Sequence, residues 1–354
     1  MDRVLKGRGA TINPEGRFAS TTSEDFDDGW QREELPDSVA TEVRAELARC
    51  VISHNDSPDI PFEQSINPYR GCEHGCVYCY ARPSHAYVDL SPGLDFETKI
   101  FYKADAAQLL REELSRPAYR CRTIMLGANT DPYQPLEKRL HVTRDILQVL
   151  LEARHPVAVI TKGALVLRDL DLLRELAAHN LAQVTVSITT LDPQLKRTLE
   201  PRTASPQARL RVVAELARAG VPVGVLAAPM IPAVNDAELE SILEAAAAAG
   251  AKRAGYVLLR LPHEVKDLFR AWLDAHLPLR AAHVMSLVQQ ARGGRDNDPA
   301  FGTRMRGTGP WAAMLRARFE RACARFGLNR ERMLELDSTS FRPPRNGRQL
   351  ELDW

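Results

Sequence analysis

The chain has no run of apolar residues long enough to cross a bilayer, which excludes a helical membrane span. Its opening residues, 1–10, are charged and lack the apolar stretch of a secretory signal, so the expected location is cytoplasmic. Cysteine is scarce, six in 354 residues, and Cys50, Cys121 and Cys323 stand alone. That spacing excludes a disulfide framework and leaves these three as ordinary buried or partly buried thiols. Overall charge is also missing, since the formal net charge is +1. The balance is uneven, however. Residues 1–60 carry thirteen Asp and Glu against seven Lys and Arg, whereas residues 280–348 carry fourteen Arg, no Lys, and six Asp and Glu. Only the basic end is suited to meet a polyanion.

What is present is concentrated in one place. Cys72, Cys76 and Cys79 lie in the run Asn67-Pro68-Tyr69-Arg70-Gly71-Cys72-Glu73-His74-Gly75-Cys76-Val77-Tyr78-Cys79-Tyr80. Three thiolates so close together can converge on one metal centre, one short of a closed tetrahedral shell. A cysteine-held iron–sulfur cluster normally takes four protein ligands, so a trio leaves one iron open to another molecule. The competing reading is a non-catalytic, zinc-stabilised binding module with His74 or Cys121 as fourth ligand. Zinc modules usually combine two Cys-x2-Cys knuckles, and this chain has one. It also has no second cysteine cluster that would hold an auxiliary centre.

The pattern along the chain is α/β. Residues 1–60 read as a partly irregular, loosely packed leader. From Gln64 onward, short β-branched runs alternate with amphipathic segments, the mark of repeated βα units on a parallel sheet. Strands are expected at Gln64–Tyr69, Thr123–Leu126, Val157–Thr161, Gln183–Ile188, Val221–Leu226 and Gly255–Leu259. Helices are expected at Ala104–Ser115, Thr143–Ala153, Asp169–His179, Pro206–Ala219 and Asp236–Ala249, with Asn180 and Gly220 as C-terminal stops. Six such units make a partial (β/α)6 barrel at 61–276, followed by an Arg-rich helical extension at 277–348 and a tail peptide at 349–354.

Sheets of this kind build their sites from the loops after the strands. Those loops hold the cysteine run, Asn129-Thr130-Asp131-Pro132-Tyr133-Gln134, Lys162-Gly163, the strand end with Ser187 and Thr189, and Arg260-Leu261-Pro262-His263-Glu264. Taken singly, Lys162 reads as a solvated charge, Arg202 as a surface ion pair and Asp131-Pro132 as a turn. Their common location at one sheet edge argues for a site. His74, His85 and His263 have no spacing partner and read as loop or surface histidines.

The Cys-x3-Cys-x2-Cys spacing, with aromatic Tyr78 before the last cysteine, resembles the signature of the radical S-adenosylmethionine (radical SAM) superfamily. The resemblance runs from about Pro61 to His276 and is nearest the spore photoproduct lyase-related branch. It is carried by the tract 129–134, Ile160-Thr161-Lys162, Ser187-Ile188-Thr189-Thr190-Leu191-Asp192-Pro193 and Leu199-Glu200-Pro201-Arg202. It implies a radical SAM barrel with one 4Fe-4S cluster on Cys72, Cys76 and Cys79, whose open iron chelates the amino and carboxylate groups of SAM. Asn129, Thr130 and Asp131 stand where the superfamily's second-strand motif receives the SAM amino group, Asp131 foremost. Lys162 and Arg202 suit the SAM carboxylate, and Ser187 with Thr189 the ribose hydroxyls. The implied chemistry is reductive cleavage of SAM to a 5′-deoxyadenosyl radical that abstracts hydrogen, fed by an electron donor such as flavodoxin or ferredoxin. One departure matters: the loop after the second strand reads Gly127-Ala128-Asn129-Thr130, without the hydrogen-donor cysteine of the lyases. Thymine-dimer repair by that route is not expected. Tyr78, Tyr80, Tyr133 and Cys121 are left as candidate hydrogen relays, Tyr80 and Tyr133 as candidate catalytic residues.

The extension carries Arg292-Gly293-Gly294-Arg295 and Phe301-Gly302-Thr303-Arg304-Met305-Arg306-Gly307. This composition suits DNA or RNA, gripping phosphates while a base stacks; equally, the arginines cap the barrel or pair with the acidic leader. The tail Gln349-Leu350-Glu351-Leu352-Asp353-Trp354 is similar to short peptides that dock bacterial DNA-maintenance proteins on the sliding clamp. These features favour a nucleic acid substrate over a peptide or small metabolite.

Overall fold

The computed structural model describes residues 5–19, 39–330 and 335–344. Its strands are β1 (Glu42–Ala45), β2 (Ile52–His54), β3 (Gln64–Ile66), β4 (Tyr69–Arg70), β5 (Lys99–Tyr102), β6 (Ile124–Leu126), β7 (Val157–Thr161), β8 (Ala182–Ser187), β9 (Val223–Met230) and β10 (Arg253–Leu258). Its helices are α1 (Leu94–Thr98), α2 (Ala106–Leu114), α3 (Glu137–Leu140), α4 (Val142–Glu152), α5 (Leu170–Ala178), α6 (Pro193–Leu199), α7 (Pro206–Arg218), α8 (Leu239–Ala248), α9 (Val265–His276), α10 (Ala281–Gln290) and α11 (Gly309–Phe326).

Seven strands form the main sheet in the order β10-β9-β8-β7-β6-β3-β2. Six run parallel in chain order, and β2 adds an antiparallel edge to β3. This is the expected partial β/α barrel. Strands such as Val157-Ala158-Val159-Ile160-Thr161 are almost wholly buried, as expected of a sheet covered by crossover helices. Apolar faces of α4, α5, α7 and α8 supply that cover through Ile146, Leu150, Leu173, Val212 and Ile242. Helix bounds fall within three residues of the expected ones, and Asn180 and Gly220 take the positive φ of helix stops. Among the described residues no helix is long and apolar enough to cross a membrane.

Three expectations are corrected. The first strand is two, because Pro68 has no N–H to continue a ladder: β3 stays in the main sheet, while β4 joins β5 and β1 in a separate three-stranded sheet. The described parts of the leader are packed, not loose, with β1 and β2 paired into the two sheets. The extension is part of the core: α11 packs on α8, its Phe319 meets Tyr256 with ring centroids 4.8 Å apart, and Met305 O accepts from Leu258 N along the open edge of β10. An unpaired edge strand is thereby covered.

The two faces of the sheet edge differ. At the amino ends of the strands, the floor is closed by residues 335–344: Arg342 N donates to Ala153 O, Asp337 N to Asn180 O, and Phe341 packs against Tyr119 and His155. The carboxyl ends open toward the cysteine loop.

Candidate functional site

The cysteine loop leaves β4 through Gly71, whose φ is +82° and whose added Cβ would meet Ile100 Cδ1 at 2.8 Å. Only glycine fits that turn. Cys72 N donates to Phe96 O at 2.9 Å, Cys79 N to Cys76 O at 3.2 Å and Val77 N to Leu199 O at 3.2 Å. Cys72 and Cys76 are buried and Cys79 is half-buried. Burial pushes all three thiols up, and the charge of Cys79 raises both of its companions further. Buried thiols that repel one another's ionisation become thiolates against a strong local cation, which a metal centre provides. The donor set therefore fits an iron–sulfur cluster. Among the described residues no three His, Cys, Asp or Glu side chains draw close enough to hold a single metal ion. His74, one expected zinc ligand, has Nδ1 3.3 Å from Asp131 Oδ2, and Cys121 precedes β6 at the opposite end of the strands.

Behind the loop is an ion pair that sequence reasoning missed. Arg82 and Glu97 are fully buried and 2.5 Å apart. Arg82 Nε donates to Cys76 O at 2.9 Å, and its Nη1 to Pro92 O and Gly93 O. Glu97 accepts from Gly9 N at 2.9 Å and Ala10 N at 2.8 Å, while Arg8 Nη1 donates to Glu97 O at 2.9 Å. The leader thus runs as a strap along the loop. A Cβ on Gly9 would lie 1.8 Å from Gly75 O.

Across the sheet edge lies a second buried network. Lys162, just beyond β7, donates from Nζ to Ser187 Oγ at 2.6 Å, Thr189 Oγ1 at 3.1 Å and Ala228 O at 3.2 Å. The same ammonium lies 3.1 Å from Glu200 Oε1 and 5.7 Å from the Tyr78 ring centroid. Glu200 also accepts from Thr189 Oγ1 at 2.6 Å, from Tyr78 OH and from the buried Arg209 guanidinium. Burial alone would raise its carboxyl, yet Arg209 and Lys162 hold it far below the ordinary range. Arg209 adds Ser187 O at 3.0 Å and Thr203 Oγ1 at 2.5 Å. Three of the expected residues, Lys162, Ser187 and Thr189, are thus joined to the aromatic of the cysteine motif through Glu200.

The other expected residues have distinct surroundings. Asp131 is enclosed: its oxygens accept from Thr161 Oγ1 and Lys162 N at 2.7 Å and from Tyr133 N at 2.9 Å, besides facing His74. Burial opposes its charge, but His74 and these donors hold the carboxyl below its usual range. Thr130 Oγ1 donates to Tyr69 O at 2.7 Å. Asn129 is anchored by its backbone N to Asn67 Oδ1 at 2.8 Å, and its side-chain amide has no hydrogen-bond partner among the described residues. Arg202 pairs with Glu73 at 3.1 Å, the surface-type ion pair that its sequence context allowed.

Tyr80 is 47% exposed at the mouth, with its OH donating to Ala128 O. Tyr133 is buried, and that burial, with Asp169 and Glu137 beside it, pushes its phenol well up. His74 and His85 are buried rather than surface residues. The extension's arginines divide as the capping alternative had it. Arg292 is buried and donates to four carbonyls, of Leu258, Leu259, Thr303 and Arg304. Arg304 is 2.5 Å from Asp59 of the leader. Neither is a free phosphate grip. The terminal peptide 349–354 lies outside the described residues.

The family model described as the radical SAM superfamily matches residues 66–246. An uncharacterized protein of Mycobacterium tuberculosis is 41% identical over 216 residues, 60% of this chain and 64% of the relative. An uncharacterized protein of Methanocaldococcus jannaschii is 28% identical over 173 residues, 49% and 62% of the two chains. The chain therefore spans less than two thirds of the length of these curated relatives. Among solved structures, spore photoproduct lyase complexed with dinucleoside spore photoproduct aligns with a TM-score of 0.59 at 16% identity, over 81% of this chain and 80% of that one. A lyase form with bound AdoMet and the same dinucleoside aligns at 0.57 and 17% over the same shares. At that identity the likeness is one of fold.

Proposed function

The chain belongs to the radical SAM superfamily, and on that footing we propose that it holds one 4Fe-4S cluster on Cys72, Cys76 and Cys79 and binds SAM at the neighbouring edge of β6 to β9. The observation that carries the reading is the buried network joining Tyr78, Lys162, Ser187 and Thr189 through Glu200 beside the three thiols of the cysteine loop. When bound, the cluster and SAM supply a one-electron reductive cleavage that yields a 5′-deoxyadenosyl radical able to take hydrogen from a substrate.

The chain's own residues prepare that site. Glu200 and Arg209 fix the Lys162 ammonium and the hydroxyls of Ser187 and Thr189, so the polar partners of the SAM carboxylate and ribose are in place before ligand arrives. Asn129, whose amide has no hydrogen-bond partner among the described residues, is the residue of its tract left to meet the SAM amino group, while Thr130 and Asp131 position it. Arg202, tied to Glu73 in the cysteine loop, adds positive charge at the rim. Tyr80, between the loop and Ala128, is the candidate hydrogen relay. A one-electron donor such as flavodoxin or ferredoxin is the partner this chemistry needs, and a nucleic acid is the substrate class the reading favours.

The test is anaerobic reconstitution with iron and sulfide, reduction, addition of SAM, and assay of 5′-deoxyadenosine against Cys76→Ala. Nucleoside that forms in the wild type and vanishes in the variant is expected. Colourless, zinc-bearing protein that leaves SAM intact would overturn the proposal and return the chain to the binding-module class.

A further inference from the structure

Among the described residues, one charged side chain at the mouth is left without an ionic partner. Arg260 lies two residues beyond β10. Its Nε is buried and has no hydrogen-bond partner, and among the described residues the guanidinium's one hydrogen bond is a long Nη1 contact, 3.8 Å, to Met305 Sδ. The nearby carboxylate, Asp59, is already taken by Arg304 Nε at 2.5 Å and by Gly302 N at 2.7 Å. A guanidinium presents five donors in a planar fork, and leaving a desolvated one unpaired is costly. Its two cationic neighbours, Arg304 and Arg292, make matters worse by repulsion. A site that keeps such a group is built for an incoming anion.

The surroundings narrow the anion's chemistry. Arg260 Cζ is 5.5 Å from the ring centroid of Tyr80, and Arg304 Cζ is 4.6 Å from that of Phe301. Both residues are about half exposed, Tyr80 at 47% and Phe301 at 59%. An unpaired guanidinium beside two exposed aromatic residues is the combination that binds a phosphate while stacking a base; a carboxylate alone would leave the rings unused. Tyr80 directly follows Cys79, and its hydroxyl reaches Ala128 in the loop after β6, so the anion would be held across the mouth from the Lys162 network.

We infer that Arg260 binds a phosphate group of the substrate, with Tyr80 and Phe301 as the stacking surfaces beside it. The inference rests on the proposed reading for what happens at the mouth, but its test reads binding and not turnover, so the two fail separately. The phosphate comes either from a free nucleotide or from a nucleic acid strand, and the probes distinguish these sources.

Anaerobically reconstituted protein is titrated with inorganic phosphate, with thymidine monophosphate and with a fluorescent single-stranded oligothymidylate over a range of salt. Arg260→Met, Arg260→Lys and, as a charge-matched control, the exposed Arg174→Met are compared with the wild type after thermal unfolding confirms that each folds. For the oligonucleotide, Arg260→Met is expected to weaken binding about tenfold and lower the salt slope by about 0.7, the value for one phosphate contact on a single strand. Arg260→Lys is expected to fall between, because it keeps the charge and loses the fork. Thymidine monophosphate binding that depends on Arg260 as strongly identifies the free nucleotide; dependence seen only with the strand identifies the phosphodiester. The inference is overturned by wild-type affinity and slope in Arg260→Met, by an equal loss in Arg174→Met, or by a wild type that binds none of the probes.

Discussion

Replacing Glu200 by Gln isolates what the buried network contributes. The side chains of Glu200 and Arg209 are 0% and 1% exposed, so water cannot compensate either charge. Removing one member of such a pair costs about 3–5 kcal/mol. The amide oxygen of Gln still accepts one bond, returning about 1 kcal/mol, which leaves a net loss of roughly 2–4 kcal/mol and, for a chain of this length, a fall in unfolding midpoint of roughly 3–5 °C. The loss is not confined to stability. Lys162 loses its carboxylate at 3.1 Å, and Ser187 and Thr189 lose a fixed ammonium, so SAM affinity should fall about tenfold or more. Scanning calorimetry of the apo-protein and SAM titration of the reconstituted protein measure the two effects. A midpoint within about 2 °C of wild type, together with unchanged SAM affinity, would refute the idea that Glu200 organises this site.

Three further outcomes are expected. Alanine at Cys72, Cys76 or Cys79 should abolish iron and sulfide retention, whereas alanine at Cys50 or Cys121 should leave metal content unchanged; iron analysis decides. Gly9→Val places a side chain where a Cβ would sit 1.8 Å from Gly75 O, so the strap must lift, and iron should be lost in air several-fold faster than from wild type; an unaltered rate contradicts the strap's shielding role. Burial lowers the imidazoles of His85 and His155 from 6.5 to about 4. Each stays neutral when folded and takes up a proton on unfolding, so stability is full above pH 6.5 and falls as pH drops toward 4, by up to about 3 kcal/mol per histidine. Urea unfolding across that range should show the decline, and His155→Gln should flatten it.

Much of this was legible in the residues. The cysteine spacing, the βα alternation and the polar strand ends place the site because each is local: a motif, a period, a position after a strand. That logic singled out Lys162, Ser187 and Thr189, which the structure brings together. Arg209 and the Arg82–Glu97 pair did not, since a charged residue within or beside a helix reads as a solvated face until tertiary contacts bury it. Asp131 was legible as a turn and as a ligand, and only the enclosing Thr161, Lys162 and His74 show how its oxygens are used. The leader misled through composition. Its polar residues lack a core of their own, but Glu97, nearly ninety positions away, supplies the acceptors for its backbone.

The closed floor has a practical side. Residues 335–344 are fastened to Ala153 and Asn180 beneath the strands, while the strap of residues 8–10 lies against the cysteine loop on the opposite face. Anything joined to the chain after residue 344 starts from the side away from the mouth, whereas anything joined ahead of the strap starts beside it. Affinity handles, surface tethers and fluorescent reporters are therefore best attached downstream, where they leave the approach of a large substrate unobstructed; an upstream attachment would itself act as a steric probe of that approach.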